Sequence, residues 1–166
     1  MKRLSALKKR VEKSEESTLK CSNRVSDLER YGQRWNLRLY GVPEAEREDV
    51  RAEVISVCQQ VLPSEKEKLH DAIDIAHRVG RICQDDLKPR GFILRFVSRR
   101  HRDAIWKAAK NSIFLQSKGL RFTEDLTKED RENRQKFWPL IKKTRDEGKS
   151  AYFVGGRGFV NGSEIH

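Results

Sequence analysis

Two arginines stand inside stretches that otherwise read as strands. Arg38 lies in the middle of "WNLRLYGVPE" (residues 35–44), and Arg95 lies in "RGFILRFV" (residues 90–97). A guanidinium taken out of water needs a partner, so each must face solvent or an anion. Side chains alternate along a strand. Leu37 and Leu39 therefore share one face, with Arg38 and Tyr40 on the other. Phe92, Leu94 and Phe96 likewise oppose Gly91, Ile93 and Arg95. The apolar faces must meet a core, which sends both arginines to the side away from it. A guanidinium plane can pair phosphate oxygens and stack on bases. The competing chemistry is solvation, or pairing with a carboxylate on the same face, such as Asp74.

The distribution of charge bears on that choice. Among 166 residues there are 36 Lys+Arg and 25 Asp+Glu, with a pI near 9.8. Residues 1–42 carry 11 basic and 5 acidic groups, 43–76 carry 4 and 9, 77–121 carry 12 and 3, and 122–166 carry 9 and 8. Basic and acidic blocks in alternation imply faces of opposite sign, and the basic blocks suit a polyanionic partner. An apolar content of 36% with mean hydropathy −0.82 is low for one compact globule and suits one or two small domains. No apolar run approaches the roughly 18 residues of a membrane span, and no secretory h-region is present, so no membrane partner is expected. Cys21, Cys58 and Cys83 are far apart without a CxxC pair, which fits free thiols in a reducing compartment. His70, His77, His101 and His166 have no metal-ligand spacing, and no nucleophile–base pair is evident. Catalytic residues, metals and cofactors are not expected.

Three segments must position these groups. In residues 1–32, Leu4, Val11, Thr18 and Val25 take a positions of a heptad, and Leu7, Ser14, Cys21 and Leu28 take d positions, as in a coiled coil. "RVSDLE" adds Arg24 and Glu29 around Val25 and Leu28, a pattern that resembles a trimer-specifying motif of short coiled coils. Oligomerisation is thus expected through Leu4, Leu7, Val11, Arg24, Val25, Leu28 and Glu29. Residues 33–123 read as β-α-β-β-α-β. Strands are expected at about 36–41, 72–79, 90–97 and 119–124, with helices at about 47–62 and 99–110, the second capped by Ser98. This is the ferredoxin-like arrangement, with two helices on one face of a four-stranded sheet and the other face open. Residues 124–166 read as a small α/β lobe. It has a helix from a Thr127–Asp130 capping box to about Glu147, kinked by Pro139, and then a glycine-turn hairpin in "AYFVGGRGFVNG". The class is α+β.

The middle segment resembles an RNA-recognition motif (RRM), a fold whose open sheet face carries RNA. "RGFILRF" is similar to its strand-three signature but one residue short. Aligned from Phe96, the two stacking positions hold Gly91 and Ile93, and the strand-one position holds Arg38. This makes a non-standard RRM in which arginine replaces aromatic stacking, weighted towards backbone charge and salt-sensitive. "NLRLYGVPE", "AHRVGR", "PRGFILRF", "DAIWKAAK" and "LRFTEDLTKEDRENRQKFWPL" together resemble, in order and spacing, the protein of the first open reading frame of LINE-1-type retrotransposons. That resemblance covers essentially the whole chain. It implies a homotrimer of coiled coil, RRM and C-terminal domain that coats its own RNA, also takes single-stranded DNA, and acts as a nucleic-acid chaperone without being an enzyme. It also implies cytoplasmic ribonucleoprotein particles, with a nuclear share left open. The RNA-binding positions it implies are Arg34 and Arg38, Arg95, Arg134, Lys110 in place of an arginine, Arg78 and Arg81 by approximate match, and Lys88 and Arg90 as basic equivalents.

Two other readings use the same residues. A coiled-coil scaffold whose sheet binds a protein would have an apolar open face and no salt-sensitive RNA binding. A domesticated derivative would bind nucleic acid without moving any element. An enzyme is disfavoured: "DDLK" at Asp85 is a loop charge cluster before it is a nuclease site.

Overall fold

The computed structural model describes residues 1–82, 85 and 87–166. The thiol expected at Cys83 and the second aspartate of "DDLK", Asp86, lie outside the described residues. The chain divides into two compact units, residues 33–125 and residues 1–32 with 126–166. The first and last segments, read from sequence as separate, thus share one unit. The architecture is α+β: a long N-terminal helix, two antiparallel sheets and further helices.

In residues 33–125, β1 (Asn36–Tyr40) sits between β3 (Phe92–Phe96) and β4 (Arg121–Glu124), and β2 (Ile73–Arg78) pairs on the far side of β3. Every pairing is antiparallel, and the order is β2-β3-β1-β4. Alternation decides the core. Leu37, Leu39, Phe92, Leu94 and Phe96 are 0–1% exposed and pack with Val54, Val57, Cys58 and Val61 of α2 (Val50–Val61) and Ile105 of α4 (Arg99–Ala109). Two short helices complete this unit, α3 (Leu69–Ala72) and α5 (Ile113–Lys118). Asp49 and Ser98 cap α2 and α4 by accepting from Ala52 N and His101 N. Burial pushes the Cys58 thiol up to about 12, so it stays protonated and packs as an apolar side chain.

α5 had no counterpart in the expected elements. It has ordinary end signals: Ser112 caps Leu115 N, and Gly119 closes the helix at φ +66. The first residues of β2 are irregular, with a register shift between Ile73 and Ile75. Past that bulge, Ala76 and Arg78 face the core side and Ile75 and His77 the open side.

Arg78 is therefore a structural residue. Its side chain is 5% exposed and its guanidinium lies 3.9 Å from the Phe92 ring. All five N–H groups find acceptors: Nε and Nη2 donate to Glu48, Nη2 also to Pro43 O, and Nη1 to Val42 O and Arg90 O. One side chain thus fixes the exit of β1, the approach to α2 and the entry to β3.

In the other unit, α1 (Lys2–Gln33) has no buried residue. Leu4, Leu7, Val11, Val25 and Leu28 are all more than half exposed, as are Leu19 and Tyr31 outside the heptad positions. Near its end, Arg30 donates Nε to both oxygens of Asp130 at 3.0 and 3.1 Å, and also pairs Asp27 and Glu129. Asp130 lies in the first turn of α6 (Lys128–Asp146), whose cap Thr127 accepts from Asp130 N. The capping box is thus half used, because the Asp130 carboxylate turns to Arg30. Helix α6 runs continuously through Pro139. After it come β5 (Ala151–Val154), β6 (Arg157–Val160) and β7 (Ser163–Ile165), one strand more than the hairpin read from sequence.

Arg78→Met should lower unfolding free energy by about 3–5 kcal/mol, since it strands Glu48 and the part-buried carbonyls of Val42 and Arg90. Urea unfolding of the variant against the parent reads this directly. A loss below about 1 kcal/mol would show that the clamp contributes little.

Candidate nucleic-acid interface

The register places one set of side chains across the side of the sheet opposite α2 and α4. Asn36, Arg38 and Tyr40 come from β1, Ile93 and Arg95 from β3, Ile75 and His77 from β2, and Arg121 and Thr123 from β4. Directly opposed pairs include Asn36 with Arg95, Arg38 with Ile93 and Thr123, and Tyr40 with Arg121. Arg95, Arg121, Ile75 and His77 are exposed, while Arg38 and Tyr40 are half-buried.

Arg38 and Arg95 share the face but not the environment. Arg38 donates Nε to Asp125 Oδ1 at 2.8 Å, and Asn36 Nδ2 donates to the other oxygen at 2.9 Å. Burial opposes the Arg38 charge, but hydrogen bonds to Tyr40 and Asp125 outweigh it and hold the guanidinium above its ordinary range. The Asp125 side chain is 3% exposed, so these two donors supply hydrogen bonds in place of water. The carboxylate that satisfies Arg38 is thus Asp125, just beyond β4, and not Asp74 of β2. Arg95 has no ion pair among the described residues and stands in solvent. One arginine is preset and partly neutralised; the other keeps its full charge.

The face also has an aromatic group that strand-by-strand reading leaves out. A Cβ at Gly91 would lie 2.6 Å from a ring carbon of Tyr40. The Tyr40 ring therefore fills the space where a side chain at position 91 would stand. The ring beside position 91 thus comes from the neighbouring strand. Arg121 lies 5.2 Å from the centroid of this ring. A base can stack on such a ring or on the guanidinium plane beside it. The sequence signal was present: Tyr40 alternates with Leu39, and glycine at 91 makes room for a neighbour.

The remaining sequence-derived positions separate. Arg34 lies in the turn before β1, 5.5 Å from the Trp35 ring. Lys110 ends α4, 5.7 Å from the Trp106 ring. Arg81 and Lys88 are exposed in the loop between β2 and β3. Arg90, in the same loop, is clasped by Glu44 through side chain and backbone. Arg78 is on the core side, its donors already used within the fold. Arg134 belongs to the other unit, where Nε donates to Gly155 O at 2.6 Å and the guanidinium lies 5.3 Å from Phe153. Among the described residues no group of three His, Cys, Asp or Glu could hold a metal, and no helix is long and apolar enough to cross a membrane. No protein-family model matches the chain, and no curated protein matches it.

The Glu44–Arg90 clasp has a pH signature. Hydrogen bonds from the Arg90 side chain and backbone lower the Glu44 carboxyl from 4.5 to about 2. A depressed acid stabilises the fold fully above the unfolded value and loses that contribution as pH falls through the folded one. The stability gap between parent and Glu44→Gln should be constant above about pH 5 and close towards about pH 2. A Glu44 carboxyl titration by NMR with its midpoint near 4.5 would show the clasp to be open in solution.

Proposed function

We propose that this chain binds single-stranded RNA, and single-stranded DNA by the same chemistry, along the open sheet face. The observation that carries this reading is the composition of that face: Arg38, Arg95 and Arg121 beside Tyr40, with His77 and Asn36, on the side of the sheet opposite the helices α2 and α4. The arginines supply phosphate contacts, and Tyr40 with Arg121 supplies a sequence-tolerant stacking position. An apolar open face would favour a protein-binding scaffold. Here Ile75 and Ile93 are outnumbered by cations and hydrogen-bonding groups.

The β-α-β-β-α-β order of residues 33–125 supports the RRM reading, with Arg38 at a stacking position and Tyr40 over Gly91. The exposed Leu4, Leu7, Val11, Val25 and Leu28 support self-association of α1, because a helix with such a stripe gains stability only when another surface covers it. The sequence pattern around Arg24 and Glu29 favours three copies. Taken with the motifs that resemble the LINE-1-type first-open-reading-frame protein, the function proposed is that of a homotrimer coating retrotransposon RNA and acting as a nucleic-acid chaperone. The residues proposed to contact the strand are Arg34, Arg38, Tyr40, Arg95, Lys110 and Arg121, with Arg81 and Lys88 at the loop and Arg134 on the lobe. Arg78 and Arg90 are assigned to the fold in this reading.

The test is affinity for a fluorescent RNA of about 30 nucleotides over a salt series, with oligomer mass by light scattering. Trimers that bind tightly at low salt, with a steep salt slope, are expected. Absence of binding at low salt would reject the reading in favour of a scaffold.

Two variants separate the roles on the face. Arg95→Ala should weaken binding and reduce the salt slope by about 0.7 per site, the value for one phosphate on a single strand, while stability is unchanged. Arg38→Ala should weaken binding and also destabilise the fold by about 1–3 kcal/mol, because Asp125 is left buried with Asn36 alone. Equal affinity for parent and both variants would remove the open face from the mechanism. Leu28→Asp should dissociate the oligomer and with it the gain in affinity from linked sites; a variant of unchanged mass would refute the role of α1.

A further inference from the structure

We propose that the cavity beside the outer edge of β4 is a base-binding subsite, which takes the nucleobase of a nucleotide leaving the sheet past Arg121. This deepens the single-strand RNA reading and rests on it. The cavity measures about 240 Å³, and its walls include Trp106 and Lys110 at the end of α4, Leu115 and Gln116 of α5, and Arg121 and Phe122 of β4. Arg121 is the link: it lines this cavity and also stands 5.2 Å from the Tyr40 ring on the open face. A strand held at Tyr40 therefore has a cation at the point where it turns over the sheet edge.

The lining matches a base more closely than other occupants. Leu115 and Phe122 are buried and give an apolar floor. Trp106 is half-buried and gives an aromatic wall, with Lys110 5.7 Å and Arg102 5.8 Å from its ring. Gln116 is exposed at the rim, where its amide offers both a donor and an acceptor to a base edge. Lys110 and Arg121 line the cavity and are exposed, so the attached phosphates would meet them. An acidic peptide could use the two cations but has no flat ring to place against Trp106. The volume is below the roughly 300–1,000 Å³ of sites for drug-sized ligands, which suits one ring system. The geometry is fixed from beneath: a Cβ at Gly41 would strike the carbonyl of Gly119, so the end of β1 and the end of α5 are held in contact. Tyr40 and the cavity are thereby kept beside each other.

The experiment is photo-cross-linking of the full chain to a uridine-rich single strand carrying 5-iodouracil, with adducts located by peptide mass mapping. Adducts at both Tyr40 and Trp106, each lost when excess unmodified strand is added, are the expected result. Adducts at Tyr40 without Trp106 would overturn the subsite and leave the open-face reading standing. Absence of adducts together with absence of binding would reject both. Trp106 labelling that a polyglutamate peptide suppresses and RNA does not would make the cavity a peptide site and overturn the proposal. Trp106→Leu gives a second reading. It should weaken binding about tenfold, within the range for one base–aromatic stack, while the salt slope stays at the parent value. A changed slope with unchanged low-salt affinity would show that Trp106 only supports the nearby cations.

Discussion

The placement of every group on the open face follows from one constraint, the alternation of β1 and β3 against the helices. Leu37, Leu39, Phe92, Leu94 and Phe96 are almost fully excluded from water. At about 2 kcal/mol for each large apolar side chain, their burial is worth on the order of 10 kcal/mol, comparable to the net stability of a domain. A slip of one residue would exchange the faces and expose all five. The register of Arg38 against Ile93 and of Asn36 against Arg95 is therefore not adjustable. The side chains of the open face stand where they do because the core admits no other phase.

The same alternation explains which parts were legible in the sequence. Phe92 to Phe96 alternates without a break, so the face of Arg95 could be read directly, as could that of Arg38 between Leu37 and Leu39. In "AIDIAHRV" the bulge between Ile73 and Ile75 changes the phase, and the face of Arg78 could not be read from the motif around it. The anion for Arg38 was harder still: Asp125 is 87 residues further along and reaches Arg38 only because β4 pairs with β1. Tyr40 over Gly91 is the same kind of information, a neighbour across strands and not along one. The helix α5 and the strand β7 are too short for periodicity to reveal, though Ser112 and Gly119 mark the ends of α5.

The count of basic residues overstates how many are free to meet a polyanion. The acidic residues between 43 and 76 do not simply form a face opposed to the basic block that follows. Glu48 is consumed by Arg78 and Glu44 by Arg90, while Asp125 takes Arg38 and Glu124 meets Arg102. These pairs place arginines where planar donors are needed to bridge loops, which is why lysine would not serve at position 78. Among the cations outside these pairs, Arg95 and Arg121 lie on the sheet and Lys110 at the end of α4. Arg121 and Lys110 stand beside the aromatic rings of Tyr40 and Trp106.

On the proposed reading, Arg38 and Arg95 hold an anion-binding group ready in two ways. Asp125 removes rotamer freedom from Arg38 before any ligand arrives, which lowers the ordering cost on binding, but it also cancels part of the charge. Arg95 keeps its charge and must be ordered by the ligand. A face with both kinds has a geometric anchor that is weakly sensitive to salt beside a contact that is strongly sensitive to it. The same logic applies at the end of α1, where Arg30 is held by Asp130 and Glu129 in the first turn of α6. Those carboxylates already favour the helix N-terminus through its dipole, and Arg30 offsets their mutual repulsion. The last turn of a helix whose apolar stripe lies uncovered is in this way fixed to a folded lobe.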